Sequence, residues 1–182
     1  MSDGPTLRPE EDAVCVVDVS NEGAGGLWWS RAAGRCRYFH RALPAAHYGA
    51  TSRDSCRVEL LNLVAAARLW AADWAGKSVL LRCDHPCVRR GGSPARVQME
   101  AALGELSRQH GFTYRLEWSI QREDPLMAVA DMLSRVDKPR RTVPLESGVS
   151  ALAAELGAEV QLEQQSGPGD HMYDLSQSAA GP

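Results

Sequence analysis

The spacing of apolar and polar positions changes several times along the chain, and each change marks an element. Residues 13–19 form a β-branched apolar run around Cys15, which predicts a buried strand closing at Asp18. Asn21-Glu22-Gly23-Ala24-Gly25-Gly26 reads as turn chemistry. Residues 27–31 and 35–41, on either side of Ala33-Gly34, read as two more strands, so the first three strands are expected to form an antiparallel meander. A polar loop covers 47–54, and Ser55 is placed to cap a helix. Over 58–74 the apolar residues Val58, Leu61, Val64, Ala65, Leu69 and Ala72 recur at helical spacing, and Gly76-Lys77 ends the pattern. Residues 78–84 form a fourth strand that, like the first, ends on an Asp. A helix, a short turn and a strand suit a crossover to a parallel position. Pro94 stands where a first-turn proline is tolerated, residues 95–110 read as a second helix, and Gly111 stops it. Residues 112–119 alternate as a fifth strand, and 125–135 form a third helix.

The two ends differ from this body. Residues 1–12 are polar and read as a disordered lead-in. Beyond Arg135, Asp137-Lys138-Pro139-Arg140-Arg141 reads as a linker. Residues 149–163 allow one amphipathic helix, and 166–182 have the Gly, Ser, Pro and Gln content of a disordered tail. The expected organisation is a lead-in at 1–12, a domain at 13–135 and an acidic, mostly disordered tail at 136–182.

Composition narrows the class. The chain has 182 residues, of which 44% are hydrophobic and 24% charged, as in ordinary soluble domains. No apolar run approaches the ~18 residues that span a bilayer, so no membrane association is expected. The start has neither a basic nor an apolar segment of the secretory kind. Five cysteines, an odd number thinly spread, read as reduced thiols in an intracellular protein, cytoplasmic or nuclear. The net charge of -3 conceals a body of 16 Arg and Lys against 12 Asp and Glu between two acidic ends. Such a body is compatible with a phosphate-backbone ligand.

Candidate chemistry rests on four carboxylates. Asp18 and Asp84 close two strands that a helical crossover can set side by side; Glu59 lies in the first turn of the first long helix, and Asp131 lies on the last. Each alone suits a strand-end turn, a helix dipole or a solvated face. Gathered together they would repel one another unless cations sat among them. Hard oxygen ligands suit Mg2+ or Mn2+, and two such ions can clamp the attacking and leaving oxygens of a phosphoryl displacement.

The same residues carry a family resemblance. The order Asp18, Glu59, Asp84, Asp131 resembles that of ribonuclease H. Ala130-Asp131-Met132-Leu133-Ser134-Arg135 is similar to the Ala-Asp-x-Leu-Ser-Arg that closes this domain in many retrotransposon reverse transcriptases, of the DIRS-like and Ty3-like kind. Trp118 to Asp124, Ser52 with Val58-Glu59-Leu60-Leu61, and Gly76-Lys77-Ser78-Val79 ahead of Cys83-Asp84 resemble further segments of that group. The likeness covers roughly two-thirds of the chain. It implies an α/β, ribonuclease H-like fold with a five-stranded mixed sheet in the order 3-2-1-4-5. It also implies a metal-dependent endonuclease cleaving the RNA strand of an RNA–DNA hybrid. Asp18, Glu59, Asp84 and Asp131 would be at once catalytic and the ligands of two Mg2+ (or Mn2+) ions. Arg89, Arg90, Arg122 and Trp28 are the expected nucleic-acid contacts. A reverse transcriptase polymerase domain, absent from this chain, is an expected partner, and the chain reads as a fragment, a processed piece or a stand-alone gene.

The pattern also departs from the family. His85-Pro86 follows the third acid where Asn or Ser is usual, Met127 replaces an Asn, Asp54 stands where a His is typical, and no His lies just before Asp131. These changes mark a diverged copy, and the alternative they raise is a catalytically inactive module that binds nucleic acid or a protein partner. Cys83-Asp84-His85-Pro86-Cys87 invites a zinc reading, but its spacing is not a standard pair and no second Cys pair follows at finger distance. It reads instead as a buried strand Cys83 and a loop Cys87.

Overall fold

A computed structural model describes residues 8–20, 23–42, 52–89, 92–119, 124–135, 149–152, 154, 156–157 and 159–162. Strand β1 (Ala13–Val19) sits at the centre of the sheet, and its first five side chains are all fully buried. Continuous burial of an apolar strand requires cover on both faces. Ala13, Cys15 and Val17 join the core on one face, while Val14 and Val16 join that on the other. β2 (Gly23–Ser30) and β3 (Arg35–Ala42) complete an antiparallel meander with β1. Helix α1 (Ser52–Trp70) then crosses to β4 (Ser78–Cys83), which pairs in parallel with β1.

Helix α2 (Pro94–His110) has the expected signals. Ser93 accepts from the Arg96 N–H at 3.2 Å, Pro94 takes the first turn, and Gly111 ends the helix at φ 71°. It leads into β5 (Thr113–Trp118), parallel to β4. α1 and α2 share one face of the sheet, where Trp70, Trp74, Met99, Leu103 and Phe112 build the larger core. Helix α3 (Pro125–Ser134) covers the other face through Leu126, Met127, Val129, Ala130 and Leu133.

Several expectations need correction. The sheet has six strands, not five, in the order β5-β4-β1-β2-β3-β6. The sixth, β6 (Glu159–Leu162), pairs in parallel with β3 and so extends the expected row of neighbours at its β3 edge. It falls where a single helix over 149–163 was expected. Among the described residues there, 149–152 and 154 are helical, and Val149 and Leu152 are buried in the α3-side core. The fold therefore reaches beyond Arg135 into the segment read as tail. α1 begins and ends earlier than its apolar spacing suggested, because 71–76 close the helix in turns.

The glycines read as a turn belong to β2, and packing explains them. A Cβ on Gly23 would come within 2.3 Å of the Ser134 carbonyl oxygen, and one on Gly25 within 2.4 Å of the Leu133 Cβ. α3 lies so close to β2 that no side chain fits between them. A side-chain-free strip has no hydrophobic period, so the sequence there carries no strand signal.

The start of α3 is anchored separately. Asp124, 7% exposed, caps the helix by accepting from the Leu126 N–H at 2.9 Å and the Met127 N–H at 3.4 Å. Its other oxygen accepts from Ser119 Oγ at 2.9 Å and from Arg82 Nη1 on β4 at 3.3 Å. Asp124→Ala removes the cap and a partner of a buried guanidinium, so a loss of about 3–5 kcal/mol is expected in denaturant unfolding. A loss under ~1 kcal/mol would mean that the Arg82 contact contributes nothing beyond the cap. Among the described residues, no helix is long and apolar enough to cross a membrane.

Candidate metal centre

The parallel pairing of β1 and β4 decides where two of the acids meet. Val16 is opposite Arg82, so continuing the register by two residues sets Asp18 beside Asp84 at the same end of the sheet. Both follow residues that face α1, Val17 and Cys83, so alternation turns the two acids toward α3, the side on which Ser134 reaches Asp18. Glu59 arrives from the opposite face and meets them at the strand ends; because α1 begins at Ser52, it stands in the third turn of the helix and not the first as expected. Ligand oxygens of Asp18, Glu59 and Asp84 lie within 4.8 Å of one another, so this acidic group can hold a metal ion.

Asp18 and Glu59 are only 4% and 5% exposed. Burial, then the neighbouring charges of Asp84 and Asp131, pushes the Asp18 carboxyl up to about 7, against the Ser134 hydroxyl and the charge of Arg135. Burial pushes Glu59 well above the usual carboxylate range; the charges of Asp18 and Asp84 add to this, and a Val19 backbone hydrogen bond opposes it. Asp84 is also raised, chiefly by burial and further by Asp131, with His85 and a hydrogen bond shared with Asp18 working the other way. Without cations the group therefore retains protons at neutral pH. The Glu59 Oε2 atom is buried and has no hydrogen-bond partner, an uncompensated acceptor on one of the three clustered acids. Carboxylate oxygens, mutual repulsion and an orphaned acceptor all fit a hard divalent cation.

Asp131 stands apart from the trio. Its Oδ1 accepts from Arg135 Nε at 2.5 Å, one helical turn on, while its charge still acts on Asp18 and Asp84. The end of α3 touches the site through Ser134, whose hydroxyl donates to Asp18 Oδ2 at 2.8 Å. Asn62, fully buried on α1, donates to the carbonyl oxygens of Asp18 and Gly25 at 3.1 and 3.2 Å, pinning β1 to β2 behind the acids. Sequence reasoning passed over Asn62; a polar residue on the apolar face of a helix, one turn after Glu59, was the available signal.

The expected nucleic-acid contacts divide. Arg89 is exposed and lies over the Trp118 ring, 4.8 Å from its centroid. Trp118 in turn donates from Nε1 to the Asp84 carbonyl oxygen at 2.8 Å. Arg90 and Arg122 lie outside the described residues. Trp28 is corrected: it is 3% exposed in the α1-side core, 6.5 Å from Trp70, and cannot stack on a base. Trp29 is buried on the other face, since both faces of β2 are covered. The half-exposed aromatic beside the acids is Trp118.

Fold and site together define an α/β protein with one six-stranded mixed sheet and a buried acidic cluster at the end of its central parallel strands. Compared with models of known protein families and with curated proteins, the chain matches none.

Proposed function

We propose that the protein is a metal-dependent endonuclease of ribonuclease H-like type, derived from a retroelement reverse transcriptase, that cleaves the RNA strand of RNA–DNA hybrids. The observation that carries this reading is the convergence of Asp18, Glu59 and Asp84, from β1, α1 and the end of β4, within 4.8 Å. Asp18, Glu59 and Asp84 would hold Mg2+ or Mn2+, and Asp131 would join them for a second ion. Divalent cations bound there supply Lewis-acid polarisation of the phosphate and a lowered pKa for water. Ser134 and Asn62 keep Asp18 in place through its side chain and its carbonyl. Arg89, supported on Trp118 beside Asp84, is positioned to bind a backbone phosphate, and selection for RNA would rest on contacts to 2′-hydroxyls.

The engagement of Asp131 with Arg135 favours the second reading, a non-catalytic module that binds nucleic acid or a protein partner through the same face. The two separate in one experiment. A labelled RNA–DNA hybrid is incubated with the purified chain in Mg2+, in Mn2+ and in chelator, beside Asp84→Asn. Metal-dependent loss of the RNA strand, abolished by the substitution, is the expected result. Binding of the hybrid without cleavage in either metal would establish the non-catalytic module instead.

A further inference from the structure

A second cluster of ligand atoms lies beside the acids, and it is chemically unlike them. Cys56 is on α1, one helical turn before Glu59; His85 directly follows Asp84; Cys87 is in the single 3-10 turn Pro86–Val88 that leaves β4. Their ligand atoms lie within 4.8 Å of one another, although 29 residues separate Cys56 from His85 in the chain. We propose that Cys56, His85 and Cys87 form a second metal site, for Zn2+ or an ion of similar softness, with one coordination position left open.

Two thiolates and an imidazole are a zinc donor set, and carboxylate-preferring Mg2+ would not choose it. Zinc bonds of about 2.3 Å to sulfur and 2.0 Å to nitrogen put tetrahedral ligand atoms about 3.3–3.8 Å apart, so the trio needs only a modest tightening. The turn is already built for this. His85 adopts an extended conformation and its Nδ1 accepts from the Cys87 N–H at 3.1 Å, which holds the unprotonated nitrogen beside the turn; a metal ion would take that same lone pair and displace the N–H. Cys87 Sγ lies 3.8 Å from the Cys56 carbonyl oxygen, so the turn already rests on α1. Cys83, the remaining cysteine of the run, points into the core under α1 and takes no part. Cys87 is nearly buried while Cys56 and His85 are half-exposed, which leaves an entry path from solvent.

An ion there would tie the early part of α1 to the end of β4, the two segments that deliver Glu59 and Asp84. Its charge would also sit within reach of Glu59, which already feels Cys56. Binding releases the two thiol protons to solvent, so affinity weakens as pH falls. The proposal stands whether or not the acids catalyse anything.

Cobalt is the probe of choice, because bound Zn2+ has no visible spectrum. The full-length chain, reduced and stripped of metal, is titrated with Co2+ and then with Zn2+. The expected result is one thiolate-bound Co2+ per chain, read from thiolate-to-cobalt charge transfer and the intense visible bands of a tetrahedral ion, both erased by Zn2+. Cys56→Ser and Cys87→Ser should each weaken binding by on the order of a hundredfold or more, whereas Asp18→Asn should leave the spectrum in place. Circular dichroism of the metal-free variants checks folding, and if Cys87→Ser fails to fold, the half-exposed Cys56→Ser decides. Absence of the thiolate band in the wild-type chain would overturn the proposal. So would a band that survives both serine substitutions, or a Cys56–Cys87 disulfide that persists under reductant.

Discussion

Asp18→Asn is expected to abolish metal-dependent cleavage while making the metal-free protein more stable above neutral pH. The two effects share one cause. Asp18 is buried among other acids, and a divalent cation is the natural compensation for its charge. Removing the charge takes away a ligand, with a loss in rate on the order of 10³-fold or more. It also takes away a desolvation cost. A carboxyl raised from 3.8 to about 7 by burial holds its proton more tightly in the folded chain than in the unfolded one. The stability of the metal-free fold is therefore complete below pH about 4 and is lost as pH rises toward about 7, by up to ~1.4 kcal/mol per pH unit for one proton. Across that interval the total reaches about 4 kcal/mol, which Asn would not lose. Mg2+ should flatten the decline for the wild-type chain and do little for the variant. Denaturant unfolding at pH 5 and pH 8, with and without Mg2+, measures this. A wild-type stability that is flat between those pH values would show that burial does not raise Asp18. Cleavage surviving in the variant would remove Asp18 from the site.

A large loss of stability is expected at Gly25. It pairs with Asp18 across β1 and β2, and its carbonyl accepts from Asn62. A Cβ there would stand 2.4 Å from the Leu133 Cβ and 2.6 Å from the Leu133 carbonyl carbon and the Ser134 nitrogen. Two of these atoms are backbone, so no rotamer change relieves the overlap and α3 must move bodily. Gly25→Ala should cost about 3 kcal/mol or more. Because α3 carries Asp131 and the Ser134 hydroxyl that binds Asp18, the same substitution should reduce cleavage even in molecules that remain folded. Gly104→Ala is the matching control. That glycine lies in α2 with open space where a Cβ would go, and the change should stabilise the helix by about 1 kcal/mol. A small loss for Gly25→Ala, comparable with an ordinary strand glycine, would mean that α3 can lift off β2 without penalty.

Much of the fold was readable because its signals are local. β1 and β4 are apolar runs too short for helices. The bounds of α2 follow from Ser93, Pro94 and Gly111, which act within one turn of where they stand. The meander and the crossover to a parallel β4 follow from loop length. The acids Asp18, Glu59 and Asp84 were visible for the same reason: each occupies the end of a strand or an early turn of a helix, and a crossover connection carries such ends to one edge of the sheet.

Other features exist only through contacts between distant parts of the chain. Nothing in residues 21–26 themselves announces a strand, because the reason for Gly23 and Gly25 is α3, more than a hundred positions away. The weak apolar pattern of 159–162 becomes β6 only because β3 offers an open edge. Whether Trp28 met solvent or core depended on α1 lying over β2. The pairing of Cys56 with His85 and Cys87 likewise depends on where α1 crosses the end of β4. The amino-acid sequence by itself determined most of the strands and helices, though not the start of β2 or β6, and which acids stand at their ends, since periodicity, caps and turns act over a few residues. The tertiary structure alone decided which face each side chain shares and which charges are buried together. Those outcomes depend on the packing of whole elements and on the loss of water between them.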